Sequence, residues 1–157
     1  MKRAVDADLY NQRLVISSLW ASEGNYPLFL QGDWVRVADQ SIGDEEIGVL
    51  IRSALAACPE GVPCPDLRND PGMRLRRQEF LKAAGARSER DYARKARSVS
   101  VYWDDSEETM TVTPYKGDGT GFEGMESRRK IVRADCSDNE LGAVIREALS
   151  ESVAFAQ

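Results

Sequence analysis

The sequence contains no histidine among its 157 residues. Its absence removes the commonest general base, the commonest metal ligand and every imidazole that could activate a serine or cysteine nucleophile. Only three cysteines are present, Cys58, Cys64 and Cys136, and none has the Cys-x-x-Cys spacing of a zinc site. We therefore expect a protein that is not an enzyme and has no metal and no cofactor. The cysteines are interpreted as free thiols in a reducing compartment.

Long hydrophobic runs are also missing. No apolar run approaches the roughly 18 residues of a membrane span, and the first eight residues, MKRAVDAD, lack the apolar stretch of a signal peptide. We expect a cytoplasmic protein with no membrane partner. Hydrophobic residues make up 42% and charged residues 30% of the chain, which is typical of one globular domain spanning residues 1–157.

Charge is distributed unevenly around a net value of -5. Residues 1–73 carry 6 basic and 11 acidic side chains, residues 74–97 carry 9 and 3, and residues 98–157 carry 6 and 12. Acidic flanks favour a cationic protein surface as partner over nucleic acid, because complementary potentials steer association. The alternative is an ordinary solvated surface.

Two segments of the chain echo each other. Residues 44–55 (DEEIGVLIRSAL) align with residues 138–149 (DNELGAVIREAL), and both carry apolar residues at i, i+3, i+4, i+7 and i+8, which predicts two amphipathic helices. Similar strand-like segments precede them at 35–39 and 131–135. The echo indicates an internal pseudo-repeat with halves at about 10–57 and 98–151, and chance recurrence is the alternative. Gly48 and Gly142 border the stripes, which predicts close approach of each helix to a sheet.

The region between the halves divides into a linker and two helices. Three prolines and one glycine between residues 58 and 70 predict an exposed linker. Within residues 71–96, one helix is expected after Asn69 or Asp70 and ends at Gly85, and a short helix is expected after Ser88. Strands are predicted at 13–20, 99–103 and 109–114. The whole predicts an α+β domain with an antiparallel or mixed sheet of about five strands and about four helices.

Three features invite a catalytic or nucleic-acid interpretation. Clustered acids in the turn at 104–108 suggest a small carboxylate-based enzyme, although exposed charge is ordinary in a hairpin turn. The glycine-rich segment 116–124 lacks the GKS or GKT ending of a phosphate-binding loop, which favours a surface loop. The basic segment 74–97 suggests an RNA-contacting module, but its aromatics Phe80 and Tyr92 fall on the predicted buried faces, which favours a solvated helical surface.

An ordered set of short segments carries a resemblance to a known family. They are Phe80-Leu81-Lys82-Ala83-Ala84-Gly85 with Ser88, Ser98-Val99-Ser100-Val101, Val112-Thr113-Pro114-Tyr115-Lys116, Gly119-Thr120-Gly121-Phe122, and Ser137-Asp138-Asn139-Glu140-Leu141-Gly142 with Ala148-Leu149. With these residues, the chain from about 80 to 149 resembles one family of contact-dependent growth inhibition (CDI) immunity proteins. The helix around Ile47-Gly48 and Ala54-Leu55 is similar to the family's first-half element, so that about two thirds of the chain is covered.

The resemblance implies a function. It implies a protein that binds the C-terminal domain of a contact-delivered CDI toxin in the cytoplasm and inhibits it by occlusion. The toxins of such proteins are often nucleases, including ones that cut transfer RNA. The expected partner is thus a protein, with no direct nucleic-acid contact and no small-molecule substrate.

Candidate interface residues follow from physical chemistry, since no residue role is carried over from the family. An interface needs aromatic anchors within a polar rim. The hairpin end offers one aromatic residue beside four acids: Trp103, Asp104, Asp105, Glu107 and Glu108. The alternative for Trp103 is a place in the core. The loop from 115 to 122 offers a second surface, with Tyr115, Lys116 and Asp118.

Overall fold

The computed structural model describes residues 1–23 and 28–156; residues 24–27, within the first echoed half, and residue 157 lie outside the described part. It confirms the α+β class, with one antiparallel sheet and four α-helices in a single domain. The strands are β1 (Lys2–Tyr10), β2 (Arg13–Ala21), β3 (Phe29–Asp39), β4 (Arg97–Asp104), β5 (Thr109–Gly117), β6 (Phe122–Gly124) and β7 (Lys130–Arg133). The helices are α1 (Asp44–Ala56), α2 (Pro71–Ala84), α3 (Glu89–Lys95) and α4 (Asp138–Glu151), with a short 3-10 turn at Glu126–Arg128.

The sheet is built around the pairing of β1 with β4. Its strand order is β3-β2-β1-β4-β5, with β6 and β7 both paired to β5, and every named pairing is antiparallel. At its centre Val5 of β1 lies opposite Val101 of β4. The sheet has two strands more than the five or so predicted, because β1 and the three-residue β6 had not been expected. β1 occupies the middle of the sheet.

The predicted helix ends are confirmed by capping contacts. Asp70 accepts a hydrogen bond from the backbone N–H of Gly72, and α2 ends at Gly85 in the left-handed conformation with φ 73°. Ser88 caps α3 and Ser137 caps α4 in the same manner. Local chemistry thus fixes where these three helices begin.

The main core lies between one face of the sheet and the pair α1 and α4. Its buried residues from the sheet include Val5, Val99, Val101 and Val112. From the helices they include Ile47, Ile51, Leu141 and Ile145, as the echoed apolar stripes predict. Cys58 is also buried there, with 5% of its surface exposed, so the first residue of the predicted exposed linker belongs instead to the core.

A second, smaller core lies on the opposite face of the sheet, under α2 and α3. Tyr10 and Val15 from the sheet pack with Phe80, Tyr92 and Ala96. Phe80 and Tyr92 pack edge to face, with ring centroids 5.3 Å apart. Both aromatics of the basic segment are therefore buried, as expected.

Gly48 and Gly142 let α1 and α4 touch each other. A side-chain carbon on Gly48 would collide with the backbone carbonyl of Asp138, and one on Gly142 would collide with the backbone carbonyl of Asp44. The prediction that these glycines approach the sheet was wrong. Each glycine instead accommodates the first residue of the other helix.

Arg52 of α1 donates hydrogen bonds to the segment that leads into α4. Its Nε donates to Asp138 Oδ1 at 2.8 Å, its Nη1 donates to the Ala134 carbonyl at 2.9 Å, and its Nη2 donates to the Cys136 carbonyl. One guanidinium therefore binds the first residue of α4 and two carbonyl groups of the turn before it.

Arg146 of α4 makes the corresponding contacts in the first half. Its Nε donates to Asp44 Oδ1 at 2.7 Å, its Nη1 donates to the Gln40 carbonyl at 3.1 Å, and its Nη2 donates to the Ile42 carbonyl. The two arginines occupy equivalent positions of the echoed helices, and so do their partners. We call these contacts of Gly48, Arg52, Gly142 and Arg146 the helix clasp.

Among the described residues, none of the helices has the length and apolar character that crossing a membrane would require.

The helix clasp predicts a large cost for one added methyl group. Gly142→Ala should lower the free energy of unfolding by about 2 kcal/mol, because overpacking against the Asp44 carbonyl outweighs the gain in helix propensity. Urea denaturation measures the change. The matched control is Gly121→Ala, where an added carbon meets nothing within 4 Å, and it should change stability by less than about 0.5 kcal/mol. Equal effects of the two substitutions would contradict the steric argument.

Candidate functional site

Trp103, the predicted anchor of the hairpin end, is partly buried and packs against the main core. Its indole N–H donates to the Glu107 carbonyl at 3.1 Å. The ring therefore has one side in the core and a polar tip that closes the β4–β5 turn. Trp103 is thus partly a core residue, and its partly exposed side remains available as an interface anchor.

Asp104 and Asp105 contact the first residues of the chain. The N-terminal ammonium of Met1 lies 2.5 Å from Asp105 Oδ1 and 3.5 Å from Asp104 Oδ1, and Arg3 lies 3.3 Å from Asp105 Oδ2. Hydrogen bonds from Ser106 hold the pKa of Asp104 below its usual value, and the N-terminal ammonium does the same for Asp105. These acids are ionised surface groups, without the raised pKa that a carboxylate-based enzyme would use.

Glu107 and Glu108 are exposed, as is Asp105, which contacts the first residues of the chain. Neither side chain forms an ion pair with any described residue. Their charges are therefore the ones at this end that a partner could meet directly.

The second predicted surface separates into residues with different environments. Lys116 is exposed, whereas Tyr115 is half-buried and points to the other face of the sheet. Asp118 is exposed and shapes the loop, since its Oδ1 accepts from the N–H of Thr120 at 2.8 Å and of Gly121 at 2.7 Å. These bonds lower the pKa of Asp118.

The two predicted surfaces lie at opposite ends of β5. Glu108 precedes the strand and Asp118 follows it. A nine-residue strand at about 3.3 Å per residue separates them by more than roughly 25 Å. They cannot form one compact patch.

A different pair of carboxylates, which the sequence analysis missed, lies in the middle of the sheet. Asp6 and Asp8 of β1 point away from α1 and α4, on the face that α2 and α3 partly cover. Cross-strand pairing sets Asp6 between Ser17 of β2 and Ser100 of β4, and Ser100 in turn lies opposite Thr113 of β5. A polar row therefore crosses four strands of the sheet.

Asp8 is the deeper of the two acids, with 5% of its surface exposed. The hydroxyl groups of Tyr92 and Ser98 donate to its two carboxylate oxygens, the latter at 2.6 Å. Burial raises the pKa of Asp8, and the two hydroxyl groups oppose that rise.

Asp6 is partly exposed at the surface of the same face. Burial and the neighbouring charge of Asp8 raise the pKa of Asp6 to about 7, while the charge of Arg77 and the hydroxyl of Ser100 act in the opposite direction. A carboxyl group that titrates near neutrality can accept a proton or a cation with a small change of conditions.

The charge of Arg77 of α2 acts on both aspartates, but its hydrogen bonds go to other residues. Its Nε and Nη2 donate to the two carboxylate oxygens of Glu89 at 2.7 and 2.5 Å, and its Nη1 donates to Gln31 Oε1 at 3.1 Å. Its guanidinium also lies over the ring of Phe80, 4.5 Å from the centroid. Because Arg77 gives its hydrogen bonds to Glu89 and Gln31, neither aspartate has an ion-pair partner among the described residues.

The exposed part of this face forms a cavity of about 310 Å³, which we call the polar cleft. Its lining residues are Ala4, Asp6, Leu19, Phe29, Ser98, Ser100, Tyr102, Thr113, Tyr115 and Phe122. Polar groups of β1, β4 and β5 form the floor, and aromatic side chains surround them. Tyr115 of the predicted loop surface belongs to it, so one of the predicted interface residues reaches the cleft.

A period-two pattern could have revealed β1. In the sequence KRAVDADLY, Val5, Ala7 and Leu9 alternate with Asp6 and Asp8. The acids and the preceding Lys2-Arg3 lowered the apparent hydrophobicity of the segment and hid its strand character. Which acids share a cleft depends on pairing between β1 and β4, residues about 95 apart, and no local pattern encodes that.

Across residues 1–23 and 28–156, no three His, Cys, Asp or Glu side chains lie together in an arrangement that could hold a metal ion.

A comparison with protein families identifies the family of this chain. A family model described as CDI immunity protein matches residues 4–152. No curated protein matches the chain significantly.

Two solved structures share the fold, each with a TM-score of 0.78 at 15% sequence identity over 97% of this chain. One is a protein of unknown function from Neisseria meningitidis, 96% of which is covered. The other is from a CdiA-CT/CdiI toxin and immunity complex of Yersinia pseudotuberculosis, with 98% of that chain covered. At this level of identity the likeness is one of fold.

The raised pKa of Asp6 predicts a pH-dependent stability difference. The folded-state value, about 7, lies above the unfolded value near 3.8, so wild-type stability is lost as pH rises between them. Asp6→Asn cannot ionise, and it should gain stability relative to the wild type by up to about 4 kcal/mol between pH 4 and pH 8. Urea denaturation across this range measures the gain.

Asp33→Asn is the control for this prediction, because it makes the same chemical change at an exposed strand position. The pH-dependent gain expected for Asp6→Asn should exceed any change that Asp33→Asn shows over the same range. A difference between Asp6→Asn and wild type that does not vary with pH would show that Asp6 titrates normally.

Proposed function

Because this chain belongs to the CDI immunity protein family, we propose that it binds the C-terminal toxin domain of a contact-delivered CDI toxin and neutralises it in the cytoplasm. The observation that carries the proposal is the family match, which extends over residues 4–152 and so includes every strand but the first residues of β1. The fold it shares with a chain of a toxin and immunity complex adds support.

We further propose that the toxin is a nuclease, with transfer RNA as one candidate substrate. Nucleases bind polyanions through cationic surfaces. A chain with a net charge of -5 and acidic segments at 1–73 and 98–157 complements such a surface. Since the RNA substrates of a delivered nuclease are in the cytoplasm, the immunity protein must meet it there.

Inhibition by occlusion requires no chemistry from this chain. A bound protein that covers a nuclease's active site excludes RNA by volume and by like charge. The chain's partner in this proposal is the toxin domain alone, without nucleic acid, a cofactor or a small-molecule substrate.

Both predicted surfaces remain candidates for the toxin interface. At the hairpin end, the unpaired charges of Glu107 and Glu108 would make the electrostatic contact, with Asp104 and Asp105 screened by the chain's first residues. At the other end of β5, Lys116 and Asp118 are exposed. The 25 Å or so between them would require a toxin domain that spans β5 or that uses one end only.

Co-expression tests the proposed function. The protein is produced with the toxin domain encoded beside it, the complex is purified through a tag on the toxin, and growth is measured with and without the immunity protein. We expect a stable complex and restored growth. Growth arrest in the presence of folded immunity protein, with no copurification, would refute the proposal.

The hairpin acids generate a second prediction. Glu107→Gln with Glu108→Gln should slow association with the toxin domain about threefold to tenfold at low salt, and the effect should shrink at high salt. The matched control is Glu45→Gln with Glu46→Gln, which removes the same charge from the exposed start of α1. Stopped-flow or biolayer kinetics measure both. Equal slowing by both pairs would mean that net charge alone, and not the hairpin end, steers binding.

A further inference from the structure

We propose that the polar cleft receives a lysine or arginine side chain of the toxin domain and that the Asp6 carboxylate is its acceptor. The inference rests on the proposed function and deepens it, because it assigns a specific anchor and the chemistry of the group that fills it. Neither predicted surface contains this anchor.

The first argument is charge. The cleft floor has Asp6 at its surface and Asp8 behind it, while the guanidinium of Arg77 is held by both oxygens of Glu89. Among the described residues neither aspartate forms an ion pair, so a cationic group entering the cleft would supply the partner that favours ionisation of Asp6. An anionic side chain or an RNA phosphate would be disfavoured beside an ionised carboxylate.

The second argument is the aromatic wall. Phe29 and Tyr102 meet edge to face with ring centroids 5.9 Å apart on one side of the cleft, and Tyr115 and Phe122 line the other. Aromatic faces attract ammonium and guanidinium groups and also pack against the methylene carbons of lysine and arginine. This combination of apolar walls and an acidic floor suits a long cationic side chain.

The third argument is size and access. The volume of about 310 Å³ is at the lower limit of ligand sites, which suits one extended side chain better than a cofactor. Asp8 is closed off by Tyr92 and Ser98, whereas Asp6 is partly exposed in the cleft. Asp6 is therefore the carboxylate that an incoming group reaches.

In the free protein, the negative charge of an ionised Asp6 has no ion-pair partner among the described residues. Burial and Asp8 disfavour the ionised form of Asp6, and its pKa of about 7 reflects that cost. A bound cation would favour ionisation and lower this pKa, so complex formation near pH 7 should release a fraction of a proton per complex. Proton release is a signature that a purely steric role of the cleft would not produce.

The test uses the full-length protein and the toxin domain encoded beside it. Affinity is measured by calorimetry at pH 7 in two buffers of different ionisation enthalpy, for the wild type, Asp6→Asn and Asp33→Asn. We expect Asp6→Asn to weaken binding at least about thirtyfold, because it removes one partner of a buried charge pair. It should also abolish the buffer-dependent proton release. Asp33→Asn should bind within about threefold of wild type and keep the proton release.

Each outcome decides between the two proposals. If the folded wild type does not bind the toxin domain, both the proposed function and this inference fail. If the wild type binds and Asp6→Asn binds equally well with the same proton release, the cleft is not the anchor and the proposed function stands. Circular dichroism confirms that Asp6→Asn is folded, which its expected stability gain at pH 7 favours.

Discussion

Close contact between α1 and α4 is the constraint on which the arrangement of the other elements depends. Each helix begins against a glycine of the other, and each sends an arginine back to the turn that leads into its partner. The turns follow β3 and β7, so the contact that joins the helices also positions the outer strands. The apolar stripes of both helices then close over β1, β2, β4 and β5 as a single core. Removing the contact would release both halves together.

Local patterns predicted much of this architecture and could not predict its pairing. The stripe of Ile47, Ile51 and their echoes identified both clasp helices, and side-chain caps such as Ser137 identified helix starts. The same repeat, however, does not say what Gly48 faces, because a glycine's role depends on the neighbour that approaches it. The correct neighbour, Asp138, is about 90 residues away in the sequence and is adjacent only in the folded chain.

The residues of the candidate site were even harder to predict from local sequence patterns. The exposed acids of the hairpin end were visible as a run of carboxylates in the sequence, and their environment is ordinary. Asp6 and Asp8 were less visible, since two acids within a weakly hydrophobic segment resemble surface residues. Their unusual chemistry comes from β1 being the central strand and from Tyr92 of α3 lying over it. One face of the sheet thus carries the main core, and the other combines the smaller core with a cleft that exposes a carboxylate.

The helix clasp has a consequence for the order of events during protein synthesis. The first half leaves the ribosome with the apolar face of α1 only partly covered by β1 and β2, since α4 and β4, the central partner of β1, are translated later. Such long-range pairing slows folding, and the first half completes its core only after β4 and α4 have been translated. Protection of a cell would therefore depend on copies finished before the toxin arrives. A supply held in advance, more than rapid new translation, is what this topology favours.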